Sequence, residues 1–503
     1  MSNQGASKVS VPAPRLKKPL LIGLAVLAVI GLVVGIIVVT TSIQTAQHTC
    51  APGVEKPGDS QECVGVTDGS FVFSPELADV ERRIHEENLA VAATGNPSVS
   101  IAYFLPMTRA ASDTQPLTWV QHQLEGAFLA QHRANHDTAS GGNRPLIQLL
   151  LANPGSRMTQ WEPVVAELER RTSSADRLVA VAGIGLSLET ARKAMRRLSD
   201  GQIPIIGSTI TADDLSEIPG LLRVASPNSA QAAAAAAYAK QTARTALLIR
   251  DTNNSDLYPT TLASSYTQGF TDDSHRFAGQ TELYDSSLPG VSNTFLQMIP
   301  NICLSRPDIV FFAGRGVDLA ELVIQLGSRN CQDQHITILS GDDVSIVPFE
   351  QDSIRRALES GITVRYTALA HPAAWTSAPT AFSAGSVQVF TDDAAKCSTC
   401  LRALFPDNTL EDASAIMAHD AVLTAVRAIR LASGPSGGVV SPRDVLQVKN
   451  RLHGTGAIPG ASGWMSFDQH GTALDKVVPI LEVGPDGTRA FVQLSAPSVT
   501  PPQ

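Results

Sequence analysis

The segment LVAVAGIGLSLETARKAMRRLSDGQIPIIGSTITADDL, Leu178 to Leu215, sets two short apolar runs around one amphipathic repeat. Leu178 to Ala182 is the first run, and Gly183 and Gly185 turn the chain after it. Leu188, Ala191, Ala194, Met195 and Leu198 then recur at helical spacing until Gly201, and Ile203 to Ile206 is the second run. A strand–helix–strand unit with strands this apolar belongs in a parallel sheet covered on both faces. In such sheets the loops after the carboxyl ends of the strands form the binding crevice. Here those loops carry Ser187, Ser208, Thr209 and Thr211 beside a helix start. Hydroxyls and free backbone N–H groups at a helix start suit a carboxylate or another small anion. The same residues also suit local roles: Ser187 as the cap of its helix, and Thr211 with Asp214 as a capping box.

The alternation continues along the chain. Apolar runs at Val99–Pro106, Pro145–Ala152, Leu221–Pro227, Thr245–Arg250, Asp308–Gly314, Ile336–Gly341 and Gly361–Tyr366 predict strands. Helical patterns at Trp119–Ala134, Trp161–Arg171, Ser229–Lys240, Leu257–Phe270, Asp318–Ser328, Ala413–Leu431 and Val445–Leu452 fall among and after them. WMSFDQHG and VVPILEV, from Trp464 and Val477, read as closing hairpin-like strands. Repeated βα units predict an α/β fold with a mainly parallel sheet. The strands are too many for one such sheet, so two sheets in two lobes are expected, in keeping with a length of 503 residues.

Residues 20–39 carry no charge, follow Arg15, Lys17 and Lys18, and precede the next basic residue at Lys56. About 20 apolar residues cross a bilayer core, and the flanking charge places the N-terminus in the cytoplasm. The run is longer than a signal-peptide core and lacks a clear cleavage site, so an uncleaved, single-pass anchor is expected. This predicts a cytoplasmic tail at 1–18, a transmembrane helix at 19–41 and the bulk of the chain outside the cell. A stalk with a helical extension is expected at 42–97, and a tail at 491–503.

Six cysteines fit an oxidising exterior and fall as near pairs, Cys50 with Cys63, Cys303 with Cys331, and Cys397 with Cys400. Disulfides are the expected state, ahead of a redox or zinc role for the single CxxC. A net charge of −9 without a basic patch argues against nucleic acid. His132 and His136 stand four apart, the spacing of two metal ligands on a helix face. No third ligand is evident nearby in sequence, so they read as a solvated helix end, and no metal site is expected. Gly183-Ile-Gly185 lacks the rest of a dinucleotide fingerprint, and no G-x-S-x-G surrounds Ser187. Neither an enzyme nor a cofactor is indicated.

The order of motifs resembles the type I periplasmic binding proteins, in particular the branched-chain amino-acid (leucine/isoleucine/valine) binding family of ABC importers. The resemblance runs from about Val99 to Val483. It rests on Arg223-Val-Ala-Ser-Pro-Asn before an Ala-rich helix and on Asp251 to Tyr258 as strand, acidic turn and Tyr. It also rests on His419-Asp-Ala-Val, where the family has Tyr for His, and on the Phe467-Asp-Gln-His-Gly471 turn. The resemblance implies two Rossmann-like lobes joined by three crossovers and closing on a ligand. The expected division is 98–225 with 366–435 for lobe 1, and 226–365 with 436–490 for lobe 2.

Carried over residue by residue, the resemblance implies ligand contacts from Ser187, from Thr211 with Ser208 and Thr209 adjacent, from Trp119, and from Tyr258. The family's ammonium-binding acid falls at Asp342 or Asp343. Hydroxyls and backbone N–H groups would take a carboxylate, the acid an ammonium group, and the aromatics the apolar remainder. The turn Gly314-Arg315-Gly316 departs from the pattern by lacking an aromatic, and Arg315 there is a candidate second contact to a carboxylate or phosphate. A membrane-anchored solute-binding protein for an ABC permease is expected. The alternative is an anchored sensor or interaction protein with a diverged cleft and a membrane signalling partner.

Overall fold

The computed structural model describes residues 49–495 apart from 59, 60, 112, 140, 141 and 143, together with residues 5, 7–10 and 30. The expected anchor at 20–39 therefore lies almost wholly outside the described residues, among which no helix is long and apolar enough to cross a membrane.

Two eight-stranded sheets form the two lobes. The first contains β1 (Thr49–Ala51), β2 (Val54–Glu55), β3 (Val64–Thr67), β4 (Ser98–Phe104), β5 (Leu146–Asn153), β6 (Leu178–Gly183), β7 (Ile205–Gly207) and β8 (Leu221–Arg223), in the order β1-β2-β3-β5-β4-β6-β7-β8. From β5 to β8 neighbouring strands are parallel, and β3 joins β5 antiparallel. All six residues of β6 are buried, which is why the strand reads as an unbroken apolar run. The helix Glu189–Asp200 covers it with Ala191, Ala194, Met195 and Leu198. Truncating a filled position such as Leu198 to Ala costs about 2–5 kcal/mol.

The second sheet contains β9 (Thr245–Asp251), β10 (Arg276–Phe277), β11 (Glu282–Tyr284), β12 (Ile309–Ala313), β13 (Ile336–Ser340) and β14 (Ile362–Thr367). After a small separate sheet of β15 (Ile458–Gly460), β16 (Gly463–Phe467) and β17 (Ala473–Leu474), β18 (Val478–Val483) and β19 (Arg489–Ser495) return to complete it. Its strands alternate between two cores: Leu247 and Ile249 of β9 face one, Ala246 and Leu248 the other. Cys50–Cys63, Cys303–Cys331 and Cys397–Cys400 are disulfides, with Cα separations of 6.1, 5.8 and 5.4 Å.

Several expected boundaries are corrected. Residues 49–67 are not stalk: β1 to β3 extend the first sheet, with Val54, Val64 and Val66 in its core. The following helix, Ala78–Ala93, packs on the Leu117–His136 helix and on β5. Residues 366–367 close β14 in lobe 2, and 491–495 are sheet, not tail. Residues 436–477 do not belong to lobe 2, because Val445, Leu452, Ile458, Met465, Phe467 and Val477 are buried in the first lobe's core. β16 and β18 do not pair with each other; β16 pairs with β15 and β17, and β18 with β14 and β19.

Two polar anchors hold the late segment to lobe 1. Asp420, fully buried in the Ser414–Ser433 helix, accepts hydrogen bonds from Ala461 N at 3.1 Å, Ser462 N at 2.8 Å and Ser462 Oγ at 2.5 Å. Gly471 O accepts from Arg223 N at 2.8 Å, and Thr472 Oγ1 from Arg223 Nη2 at 3.0 Å. The chain thus passes between the lobes three times: after β8, after β14 and before β18.

Candidate functional site

The loops after β4, β6 and β7 face those after β9, β12 and β13 across a narrow cleft. One cavity in it is lined by Trp119, Ser187, Thr209, Thr211, Tyr258, Arg315, Asp342 and Asp343, with Gln115, Gly185, Ser345, Ile346, Leu369, Asp412 and Ala413. Eight of the nine candidate ligand residues therefore meet in one place, although they span 119 to 343 in sequence. The ninth, Ser208, does not line the cavity. It is fully buried behind the wall, with its Oγ donating to Gly183 O at 3.1 Å.

On the first-lobe wall the hydroxyls bind loop to loop. Ser187 Oγ accepts from Thr211 N at 3.0 Å and Ala212 N at 3.2 Å. It does not cap its own helix, whose first residue follows Leu188 with no side-chain cap. Nor does Thr211 open a capping box, since Ala212 precedes the short 3-10 turn Asp213–Glu217 without a side-chain cap. Thr209 Oγ1 donates to Gly185 O at 2.9 Å. Gly185 is needed for a second reason: a Cβ there would lie 2.5 Å from the Trp119 ring, which closes over this loop. Trp119 divides the cavity from an adjoining chamber lined by Pro106, Leu117, Val120, Leu186, Leu188 and Arg157.

The second-lobe wall is charged. Arg315, at the start of the Gly316–Leu326 helix, is 6% exposed. Its Nε and Nη2 donate to the two oxygens of Asp256, each at 2.7 Å, and its Nη1 donates to Asp343 Oδ1 at 2.9 Å. The guanidinium lies 4.7 Å from the centre of the Tyr258 ring. Burial works against its charge, but Asp256 and Asp343 outweigh it and hold the guanidinium pKa well above its ordinary value. Arg315 is thus engaged by the chain's own carboxylates while it also lines the cavity. Asp343 Oδ2 accepts from Gly316 N at 2.7 Å, so this carboxylate caps the same helix.

Asp342 is placed differently. Its Oδ1 accepts from Gln231 Nε2 at 2.9 Å, and it has no ion pair among the described residues. Burial, and next the charge of Asp343, push its pKa up to about 7. Gln231 also donates to Ser226 O at 3.2 Å and accepts from Thr367 Oγ1 at 2.8 Å. Ser226 and Thr367 lie at the first two crossovers, so Gln231 ties Asp342 to the hinge. Tyr258 is 1% exposed, and burial followed by Asp342 and Asp343 keeps its phenol well above its ordinary pKa and un-ionised.

The walls touch directly. Leu257 N donates to Ser187 O at 2.9 Å, Glu189 N to Ser255 O at 3.0 Å, and Leu188 bridges Asp256 antiparallel. Gln115 Nε2 reaches Asp343 Oδ1 at 3.2 Å. Asp412 adds an acid on the first-lobe side, 2.6 Å from His122 Nδ1. Burial lowers the His122 pKa, but Asp412 outweighs it and the pKa is raised. Sequence reading missed Gln115, Gln231, Asp256 and Asp412. Of these only Asp256 left a trace, inside the acidic turn before Tyr258.

Two α/β lobes with three crossovers and the cleft between them decide the architecture. This chain folds as a type I periplasmic binding protein. A leucine-binding protein from Thermotoga maritima is similar over 79% of this chain and 99% of its own, with 18% identity and a TM-score of 0.59. An ABC transporter substrate-binding protein from Desulfitobacterium hafniense in complex with Leu is similar over 79% and 100%, with 16% identity and a TM-score of 0.54. A solute-binding protein from Rhodopseudomonas palustris in complex with 3,4-dihydroxybenzoic acid is similar over 79% and 96%, with 14% identity and a TM-score of 0.54. No protein-family model matches the chain, and no curated protein matches it by sequence. The periplasmic-binding fold places the charged wall on lobe 2 and the hydroxyl wall on lobe 1.

Proposed function

We propose that this chain is an extracytoplasmic solute-binding protein that captures a small ligand bearing a cationic group, of amino-acid type, between its lobes. The observation that carries the reading is Asp342, a cleft acid with one hydrogen-bond partner and no ion pair among the described residues, facing the Ser187–Thr211 wall. An ammonium group against Asp342 would supply the missing charge, and the loop hydroxyls and N–H groups of lobe 1 would orient a carboxylate. Trp119 and the chamber beyond it, where Pro106, Leu117, Val120, Leu186 and Leu188 stand beside Arg109, Asp113 and Arg157, would receive a side chain. Binding and release involve no covalent step. The solved structures similar to this one include complexes with leucine, isoleucine and 3,4-dihydroxybenzoic acid, which supports a small-molecule ligand. Residues 20–39 would hold the lobes at the outer face of the membrane beside an ABC permease.

A second reading, an anchored sensor or interaction protein, is favoured by the direct contacts of the walls and by the use of Arg315 within the protein. Thermal unfolding against amino acids, small peptides, sugars and carboxylates separates the two. A ligand at 100 times its dissociation constant adds about 2.7 kcal/mol of stability. A shift with amino acids that disappears in Asp342→Ala supports solute binding. The absence of a shift with every compound transfers the assignment to the sensor reading. Membrane fractionation of the full chain and of a variant lacking 20–39 tests the anchor, which fails if both remain soluble.

A further inference from the structure

A second set of convergent ligand atoms lies away from the cleft, where the Ala78–Ala93 helix meets the Leu117–His136 helix. Glu87, 7% exposed, directs Oε2 between two imidazoles, 2.9 Å from His132 Nδ1 and 3.1 Å from His136 Nε2. Its Oε1 accepts from Asn135 Nδ2 at 2.8 Å. Asn135 is itself fixed to β5, accepting from Ile147 N at 2.8 Å and donating to Ile147 O at 3.0 Å. His132 stacks on Phe128 with ring centres 5.5 Å apart, and the two imidazoles are 4.2 Å apart. The donor atoms of Glu87, His132 and His136 all lie within 4.8 Å of one another, the one such trio among the described residues.

From this geometry we propose that Glu87, His132 and His136 form a binding site for a divalent transition metal, zinc by the chemistry of the set. Two imidazoles and one carboxylate are a nitrogen–oxygen set that suits zinc, cobalt or nickel, whereas calcium and magnesium prefer more oxygens. Metal–ligand bonds of about 2.0–2.1 Å in a tetrahedron put neighbouring ligand atoms about 3.3 Å apart. The separations of Glu87 Oε2 from the two imidazole nitrogens, 2.9 and 3.1 Å, need to open by only a few tenths of an ångström, with the two nitrogens themselves within 4.8 Å of each other. Asn135 supplies the outer hydrogen bond that orients a ligating carboxylate. Glu87 is buried, His132 half-buried and His136 exposed, so the fourth position faces solvent and takes a water. Both imidazoles must turn a lone pair toward the ion, so any proton between them and Glu87 Oε2 moves to the other ring nitrogen or to solvent as the metal enters. The bound metal clamps the Ala78–Ala93 helix to the Leu117–His136 helix of the first lobe.

The test uses the full-length, tag-free chain, stripped with a chelator and dialysed. Cobalt(II) is titrated against the visible absorption of the bound ion, and zinc uptake is measured by calorimetry. One equivalent is expected, with zinc displacing cobalt. His136→Ala, at the exposed ligand, should weaken binding about 100-fold or more and Glu87→Gln at least about 10-fold, since losing even an outer hydrogen-bond partner costs a metal site about 10–100-fold. Far-UV circular dichroism should show both variants folded, and Asp342→Asn in the cleft should bind metal as the unaltered chain does. Hydrogen exchange over 78–93 should slow when zinc is added. Failure to take up metal, or uptake indifferent to His136→Ala, overturns the site. Unchanged exchange over 78–93 in a chain that binds zinc overturns the clamp.

Discussion

On the first-lobe wall of the cleft Ser187 and Thr209, with Ser208 behind them, commit their hydroxyls to neighbouring main chain, whereas on the second-lobe wall two carboxylates, Asp256 and Asp343, share one guanidinium and a third, Asp342, stands outside the pair. The first wall is lined by hydroxyls whose polar atoms set the spacing of the β6 and β7 loops, and its acid, Asp412, is paired with His122. The second wall carries an electrostatic imbalance, with Asp256 and Asp343 satisfied by Arg315 and Asp342 left over. Residues of one chemical kind in sequence thus divide into framework and binding group according to their partners. A buried charge without its counter-ion is costly, and it is there that an incoming cation gains most.

The largest effect is expected from breaking the charged wall at its centre. Arg315→Met leaves Asp256 and Asp343 buried without a counter-ion and should destabilise the chain by about 3–5 kcal/mol in urea unfolding. A loss below about 1 kcal/mol would mean that solvent, not Arg315, neutralises these acids.

Next comes Asp342→Asn, which separates binding from stability. The folded-state pKa of Asp342 is raised from 3.8 to about 7. Between about pH 4 and 7 the folded chain therefore holds a proton that the unfolded chain releases. The contribution is complete below about pH 4 and is lost as pH rises through 7. Asn removes this dependence, so the variant should exceed the parent by on the order of 2 kcal/mol at pH 8, allowing for partial exposure, with no gain at pH 4. Its affinity for a cationic ligand should fall at pH 8. Equal pH profiles for the two proteins would remove Asp342 from its assigned role.

A smaller change is expected on the hydroxyl wall. Ser187→Ala removes two hydrogen bonds to main-chain N–H groups and should cost about 1–3 kcal/mol, at any pH between 5 and 9. A pronounced pH dependence would contradict the contrast between the walls. The smallest effect is expected where the walls meet through side chains. Gln115→Ala deletes the 3.2 Å contact to Asp343 and should cost about 1 kcal/mol or less. It should leave the Asp342 pH profile unchanged.

The sequence by itself determined the βα alternation, because a buried parallel strand and an amphipathic helix write their periods locally, as Leu178–Gly183 and Glu189–Asp200 show. It also determined the cysteine partners, each near its own in sequence. Motif order was enough to bring eight of nine candidate residues to one cavity. It was not enough for their roles. The pairing of Arg315 with Asp256 could not be read because Asp256 lies 59 positions away, and His132 and His136 lacked a third partner because Glu87 lies on another helix, 45 positions before His132. Short edge strands such as Val54–Glu55 carry too few residues for a period, so the 49–67 extension read as stalk. Residues 436–477 read as lobe 2, but Asp420 and Arg223 bind them to lobe 1 through hydrogen bonds to loop main chain, which any residue type can offer. Local periodicity is written in neighbouring residues, whereas charge neutralisation and loop anchoring depend on which distant residues the folded chain brings within 3 Å, and only the tertiary structure decided those.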